Sequence, residues 1–415
     1  MTTIQVFEHE RLTTHKDYLG RSITDGQLEK LCGFNDRNQN KYFTVIRNGV
    51  KFNSYVGVIQ IGNLVIEILP KADKKELTKE NEKLSTDKWR KVLLKMLAIS
   101  GNLQVESVSE ALLRKRATLL DLYFEMYLKE VSQILRRGLV KKYRKETSNV
   151  NALKGSIHFS KNIQKNLIHQ ERFNTTHQRY DYEHLINQIL IKGLQVLSRL
   201  TCNESVKSKV SQLYFTFPEI REINIDQAAF DRVNLNRKTE SYSEALKIAK
   251  MLILNYSPDI SKGQDDMLAL LFDMNMLWEK YIYKKLKQGE NGSYTVNYQE
   301  RENFWETREI RPDLVIRQGK QTIVIDTKWR LAEPDNPTDY ELKQMFAYNL
   351  YWGARKCILL YPKTDQKKDG IFGRFHKGHE GEHFCKVGFV DVLDADGELN
   401  LGVAKMIIEK IKNDE

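Results

Sequence analysis

The stretch Ile310-Arg-Pro-Asp-Leu-Val-Ile-Arg-Gln-Gly-Lys-Gln-Thr-Ile-Val-Ile-Asp-Thr-Lys-Trp329 constrains the chain more than any other. Two β-rich runs flank Gln318-Gly319-Lys320, the pattern of a hairpin. Strand side chains alternate faces, so Asp326 and Lys328, two residues apart, share one. If Gln318-Gly319 is the two-residue turn, Asp313 stands opposite Val324. If Gly319-Lys320 is the turn, Asp313 stands opposite Asp326. Either register puts Asp313 on the face of Asp326 and Lys328, and a three-residue loop would break the parity.

Two carboxylates and a lysine suit the hydrolysis of a phosphodiester. That reaction needs a nucleophilic water and relief of charge on the phosphate and the leaving oxygen. The carboxylates of Asp313 and Asp326 offer hard oxygen ligands for Mg²⁺ or Mn²⁺. A lysine beside them can position the water and offset developing charge. Asp326 closes the apolar run Ile323-Val-Ile, where a carboxylate is expensive unless it is paired or bound to metal.

Two neighbours extend the set. The spacing of Leu270, Leu271, Met274, Leu277, Trp278, Tyr281 and Ile282 predicts an amphipathic helix over Met267 to Leu286. Glu279 lies on it, either turned towards the metal or facing solvent. Downstream, Gln344 and Tyr348 are four apart and share a helix face. They contact substrate phosphate, or steady Lys328, or simply pack locally.

Towards the amino terminus, Tyr42-Phe-Thr-Val-Ile, Val56-Gly-Val-Ile-Gln-Ile and Leu64-Val-Ile-Glu-Ile-Leu predict short strands, with turns at Asn48-Gly49 and Gly62-Asn63. Lys74 to Lys88 reads as a charged, exposed connection. Trp89 to Ser100, Leu112 to Leu139, Tyr182 to Leu200 and Ser241 to Leu254 show helical spacing. At 415 residues the chain exceeds what one core usually serves. We expect a mixed α/β fold in three parts: a strand-rich domain at 1–110, a helical basic region at 111–257 and a last domain at 258–415.

Lys and Arg outnumber Asp and Glu by 66 to 55, which fits either a polyanionic partner or an ordinary basic protein. The excess concentrates between Lys129 and Arg172, where eleven cations stand against three glutamates. Such a segment either contacts phosphates or forms a solvated face. The four cysteines are dispersed, which signals neither a zinc knuckle nor a redox pair and suits a reducing cytoplasm. No apolar run approaches the length of a membrane span. His376-Lys-Gly-His379-Glu-Gly-Glu-His383 resembles a metal-binding tract, but its glycines argue for a flexible loop.

Pro312-Asp313, Asp326-Thr-Lys328 and Gln344-x-x-x-Tyr348 resemble the PD-(D/E)xK nuclease fold in its RecB-like form. The resemblance extends to the McrC family, the nuclease subunits of McrBC and LlaJI-type restriction systems. It is carried by Gly57-Val-Ile-Gln-Ile with Glu67-Ile-Leu-Pro-Lys71, and by Leu153-Lys-Gly-Ser-Ile-His-Phe-Ser160. His169-Gln-Glu-Arg-Phe173, Tyr182-Glu-His-Leu-Ile-Asn-Gln188 and Phe272-Asp-Met-Asn-x-Leu-Trp-Glu279 add to it. It implies a carboxy-terminal restriction-endonuclease-like domain, with a central mixed sheet flanked by helices. It also implies a McrB-like AAA+ GTPase hexamer as partner, on which the amino-terminal part docks. The chain has no G-x-x-x-x-G-K-[ST] loop of its own. A free-standing repair nuclease would share Asp313, Asp326 and Lys328. A non-catalytic activator of a GTPase would have no need of them.

Overall fold

The computed structural model describes residues 2–71, 82–103, 118–257, 266–290, 292–330, 337–363, 369–376 and 382–412. By Cα proximity the chain divides into two compact units, and the division does not follow chain order. One unit gathers Gln60–Asn63 and Leu120–Leu270. The other gathers Thr2–Ile59, Leu64–Leu119 and Leu271–Glu415.

In the second unit, strand Thr2–Phe7 pairs in parallel with Leu64–Leu69, Ile4 opposite Ile66. All six residues of Leu64–Leu69 are buried, so the strand reads as a continuous apolar run broken only by Glu67. That carboxylate is not left bare. It accepts from Gln5 Nε2 at 2.9 Å and from the Leu119 amide at 2.9 Å, with Arg90 Nε 3.4 Å away. The Phe43–Ile46/Gly49–Phe52 hairpin turns at Arg47–Asn48, one residue earlier than expected. Asn48 takes the left-handed conformation there at φ 58°, which asparagine tolerates. The charged stretch thought to be a connection is helical from Glu82, within helix Glu82–Ile99, and its earlier part lies outside the described residues. Leu119–Arg137 forms the expected helix, while 112–117 also lie outside the described residues.

A six-stranded mixed sheet carries the other half of this unit. Its order is Thr295–Tyr298, Leu314–Gln318, Gln321–Thr327, Lys356–Pro362, Phe384–Val390, Gly373–Arg374. The Leu314–Gln318/Gln321–Thr327 hairpin is antiparallel, and Gln321–Thr327, Lys356–Pro362 and Phe384–Val390 run parallel. One face of this sheet, through Val315, Val324, Leu359 and Phe389, packs on Met345, Tyr348 and Trp352 of helix Asp339–Tyr351 and its end. This is the expected mixed sheet with flanking helices.

The expected helix from Met267 is half strand. Met267–Asp273 is extended, and the helix runs Met274–Gln288. A run as apolar as Met267-Leu-Ala-Leu-Leu-Phe suits a buried strand as well as a helix face. Asp273 decides the boundary, its side chain capping the helix through the Asn275 amide at 2.9 Å.

In the first unit, helices Leu185–Leu200 and Ser243–Leu254 match the expected pair. A further helix at Glu204–Thr216 was not anticipated. Asn187, inside the Tyr182–Gln188 motif, is fully buried and donates to the carbonyls of Val140 and Tyr182 at 2.8 and 2.9 Å. The basic segment holds strand Lys142–Val150, paired along its whole length with Phe173–Asp181. Lys142 and Lys145 are exposed on it, half-buried Arg144 bonds Asp181 at 2.7 Å, and the rings of Tyr143 and Tyr180 lie tilted with centres 4.6 Å apart. Among the described residues no helix is long and apolar enough to cross a membrane.

Candidate active site

The Gly319–Lys320 turn sets the register of the hairpin. Gln318 pairs with Gln321, Leu314 with Ile325, and Gly319 sits at φ 57°, where a side chain would be strained. Continuing that ladder one step brings Asp313, just before its strand, opposite Asp326. Val324 packs towards helix Asp339–Tyr351, so alternation sends Asp326 to the same side.

Asp326 is 2% exposed. Lys328 Nζ stands 2.7 Å from its Oδ2, and this ion pair is what meets the buried oxygen. Asp313 is held differently. Its Oδ2 accepts from the Thr327 amide at 2.6 Å and from Thr327 Oγ1 at 2.9 Å. Burial, and then the charge of Glu279, raise the Asp313 carboxyl above its ordinary range. Burial and then the charge of Asp313 raise Asp326. Burial alone would lower the Lys328 ammonium, but the neighbouring carboxylates outweigh it and hold the group protonated.

Glu279 is buried rather than solvent-facing, and Gln299 Nε2 donates to its Oε1 at 2.6 Å. Burial raises its carboxyl too, and the charge of Asp326 adds to the effect. Gln299 also donates its amide to the Asp313 carbonyl at 3.0 Å, so one residue links two members of the set. It does so from a left-handed conformation, φ 49°. Neither Gln299 nor Thr327 was singled out in the sequence: a lone amide and a threonine inside a strand carry no spacing signal.

Gln344 and Tyr348 do share a face. Gln344 Nε2 donates to Tyr348 Oη at 2.7 Å, and that hydroxyl donates to the Arg311 carbonyl at 2.9 Å. Tyr348 thus braces the backbone two residues before Asp313 while burying its ring in the core. Its hydroxyl is pushed up by burial and by the Asp326 charge, so it stays a neutral donor.

Among the described residues no three His, Cys, Asp or Glu side chains converge as a closed metal cage. The donor set fits Mg²⁺ or Mn²⁺ in another way. Both acids present carboxylate oxygens, the hard donors such ions take, and such ions keep water and phosphate oxygens in their remaining positions. The histidine tract offers less. His383 Nδ1 lies 3.1 Å from the Ala354 carbonyl, His376 is exposed, and His379 lies outside the described residues.

Residues 50–362 match the model of the McrBC 5-methylcytosine restriction system component family, three quarters of the chain. The chain belongs to that family. It is 23% identical over 289 residues to the type IV methyl-directed restriction enzyme EcoKMcrBC of Escherichia coli strain K12, covering 66% of this chain and 82% of that one. Its fold is similar to a chain in the refined half-complex of Thermococcus gammatolerans McrB AAA+ hexamers with bound McrC. The TM-score is 0.72 at 19% identity, over 99% of this chain and all of that one. A chain of the Thermococcus gammatolerans McrBC complex gives a TM-score of 0.52 at 20% identity, over 69% and 87%. The fold expected from the McrC resemblance is therefore the one found.

Proposed function

We propose that this restriction-system component is its DNA endonuclease subunit, hydrolysing phosphodiesters with Mg²⁺ or Mn²⁺ in concert with an AAA+ GTPase hexamer. The observation that carries this reading is the cluster of Asp313, Asp326 and Lys328 at the end of one hairpin, inside a chain of this family. Asp313 and Asp326 would hold the metal, with Glu279 close enough to feel their charge. The ion supplies Lewis-acid polarisation of the phosphate and a more acidic bound water. Lys328, protonated, orients the attacking water and meets charge as it develops on the phosphate. Thr327 fixes the Asp313 carboxylate, and Tyr348, held by Gln344, fixes the backbone ahead of it. Preorganised groups of this kind pay no reorganisation in the transition state.

The solved relatives support the GTPase partner: one is an assembly of McrB AAA+ hexamers with bound McrC, the other a McrBC complex. In this reading the partner finds and moves the double-stranded DNA, and this chain docks, raises GTP turnover and cuts. The strand-rich first hundred residues are the docking surface, and the basic ribbon around Lys142–Val150 faces DNA or braces the assembly.

The test compares cleavage of duplex DNA by the full chain with and without the GTPase, in Mg²⁺ and in EDTA, for the wild type, Asp326→Ala and Lys328→Ala. Both variants are expected to bind the GTPase and stimulate it while cutting at least 100-fold more slowly. Wild-type cleavage by Asp326→Ala, or full activity in EDTA, would refute the site. Efficient cutting by the full chain alone would replace the motor-dependent reading with that of a free-standing nuclease.

A further inference from the structure

The nuclease strand does not end freely. Trp329 follows Lys328, is 4% exposed, and lies against Trp278 at 5.3 Å between ring centres. Its amide donates to Asn275 Oδ1 at 3.1 Å. Its indole Nε1 donates at 2.6 Å to Oε1 of Glu8, a residue 321 positions earlier in the same compact unit. Glu8 directly follows strand Thr2–Phe7. Its amide is tied to the Leu69 carbonyl at 2.9 Å, and its Oε1 also accepts the Lys71 amide at 3.0 Å. The Glu8 side chain is buried, and its Oε2 has no hydrogen-bond partner among the described residues, with only His9 Nε2 3.9 Å away. A buried carboxylic acid is a costly way to hold two donors, and a neutral amide would hold them more cheaply.

We propose that Glu8 is a positioning residue for the nuclease reaction, fixing Trp329 and through it the adjacent Lys328. The inference rests on the nuclease reading above. Trp329 is clamped at three points: its ring tilted against Trp278, its amide on Asn275 and its indole nitrogen on Glu8. Lys328 is itself tied to the sheet through its amide, which donates to the Leu360 carbonyl at 2.9 Å. Beyond Thr327 the strand pairing stops. The direction of the Lys328 side chain therefore depends on where Trp329 is pinned. Burial pushes the Glu8 carboxyl up to about 7, so its neutral form is well populated near neutrality and Gln is a close mimic of it. The amino-terminal part thereby supplies a support of the catalytic lysine as well as a surface.

The test measures kcat and KM for duplex DNA in full chains assembled with the GTPase and Mg²⁺, for Glu8→Ala, Glu8→Gln, Trp329→Phe and Asp326→Ala, with melting temperatures alongside. Glu8→Ala is expected to lower kcat 10- to 100-fold with KM within about threefold, the scale of an ångström-level misplacement. Glu8→Gln, which keeps an acceptor for both N–H groups, is expected to restore kcat to within about threefold of the wild type. Trp329→Phe keeps the ring against Trp278 but has no N–H, so it should reproduce the Glu8→Ala loss. It stands in for Glu8→Ala if that variant does not fold. Wild-type kcat in a folded Glu8→Ala or Trp329→Phe protein, or no rescue by Glu8→Gln, overturns the positioning role. Those results leave the nuclease reading intact so long as Asp326→Ala is dead. Cleavage by Asp326→Ala overturns the nuclease reading itself.

Discussion

Replacing Asp326 by Asn separates the energetics of the site from its chemistry. The Asp326 side chain is almost fully buried, and its carboxyl is raised from 3.8 to about 6 by burial and by the charge of Asp313. At ~1.4 kcal/mol per pH unit, that places the cost of the ionised form at about 3 kcal/mol near pH 8. Asn carries no charge and removes this cost. The shift is a net one that already includes the attraction of Lys328, so losing that ion pair needs no separate subtraction. The expectation in EDTA at pH 8 is a variant up to about 3 kcal/mol more stable than the wild type, a few degrees in melting temperature. The sign with pH follows from the direction of the shift. A carboxyl whose folded pKa lies above its unfolded one favours the fold when protonated, and that advantage is lost as pH rises through the folded value. The gap between variant and wild type should therefore hold from pH 8 down to about 6 and close as pH falls from there towards 4. Mg²⁺ acts the other way. An ion bound only by the folded wild type stabilises it by about 2.7 kcal/mol at a hundred times its Kd, and the Asn variant should gain little. Differential scanning calorimetry of the two proteins, with EDTA at about pH 4.5 and pH 8 and with Mg²⁺ at pH 8, reads both effects. A variant clearly less stable than the wild type in EDTA would mean that the Asp326 charge is a structural ion pair. Equal stabilisation of both proteins by Mg²⁺ would mean that Asp326 is not a ligand.

Two further outcomes follow from the same geometry. Asp313→Ala should lose cleavage and, at about pH 5 where the raised Asp313 carboxyl is mostly protonated, lose stability by about 1–3 kcal/mol, because the Thr327 amide and hydroxyl are left without their acceptor; a variant as stable as the wild type by urea unfolding at that pH would remove that hydrogen-bond pair from the account. Cleavage should rise between about pH 5 and pH 7 as the raised carboxyls of Asp313 and Asp326 ionise, and excess Mg²⁺ should move the midpoint down, because the ion competes with protons for the same oxygens; a pH–rate profile flat across that range, or a midpoint indifferent to Mg²⁺, would contradict it.

Local pattern determined a good deal. The alternation around Asp326 and Lys328 and the two-residue turn at Gly319 are properties of a few neighbouring residues, so the shared face of the acid and lysine residues was legible from the chain. So were the helix pairing Gln344 with Tyr348 and the buried strand Leu64–Leu69. Where the pattern was ambiguous, non-local packing decided. Met267–Asp273 is apolar enough for either structure, and its place in a sheet with an Asp273 cap made it a strand. The long pairing of Lys142–Val150 with Phe173–Asp181 joins segments more than twenty residues apart, and its strands are too polar to announce themselves. The deepest gap concerns what holds the site. Glu8 and Trp329 meet across 321 positions, Tyr348 reaches the Arg311 carbonyl, and Gln299 reaches both Glu279 and the Asp313 backbone. No period of 2 or 3.6 encodes a contact made by chain closure over hundreds of residues. The sequence could place each group on a face of its own element, and only the packed unit could say which faces meet.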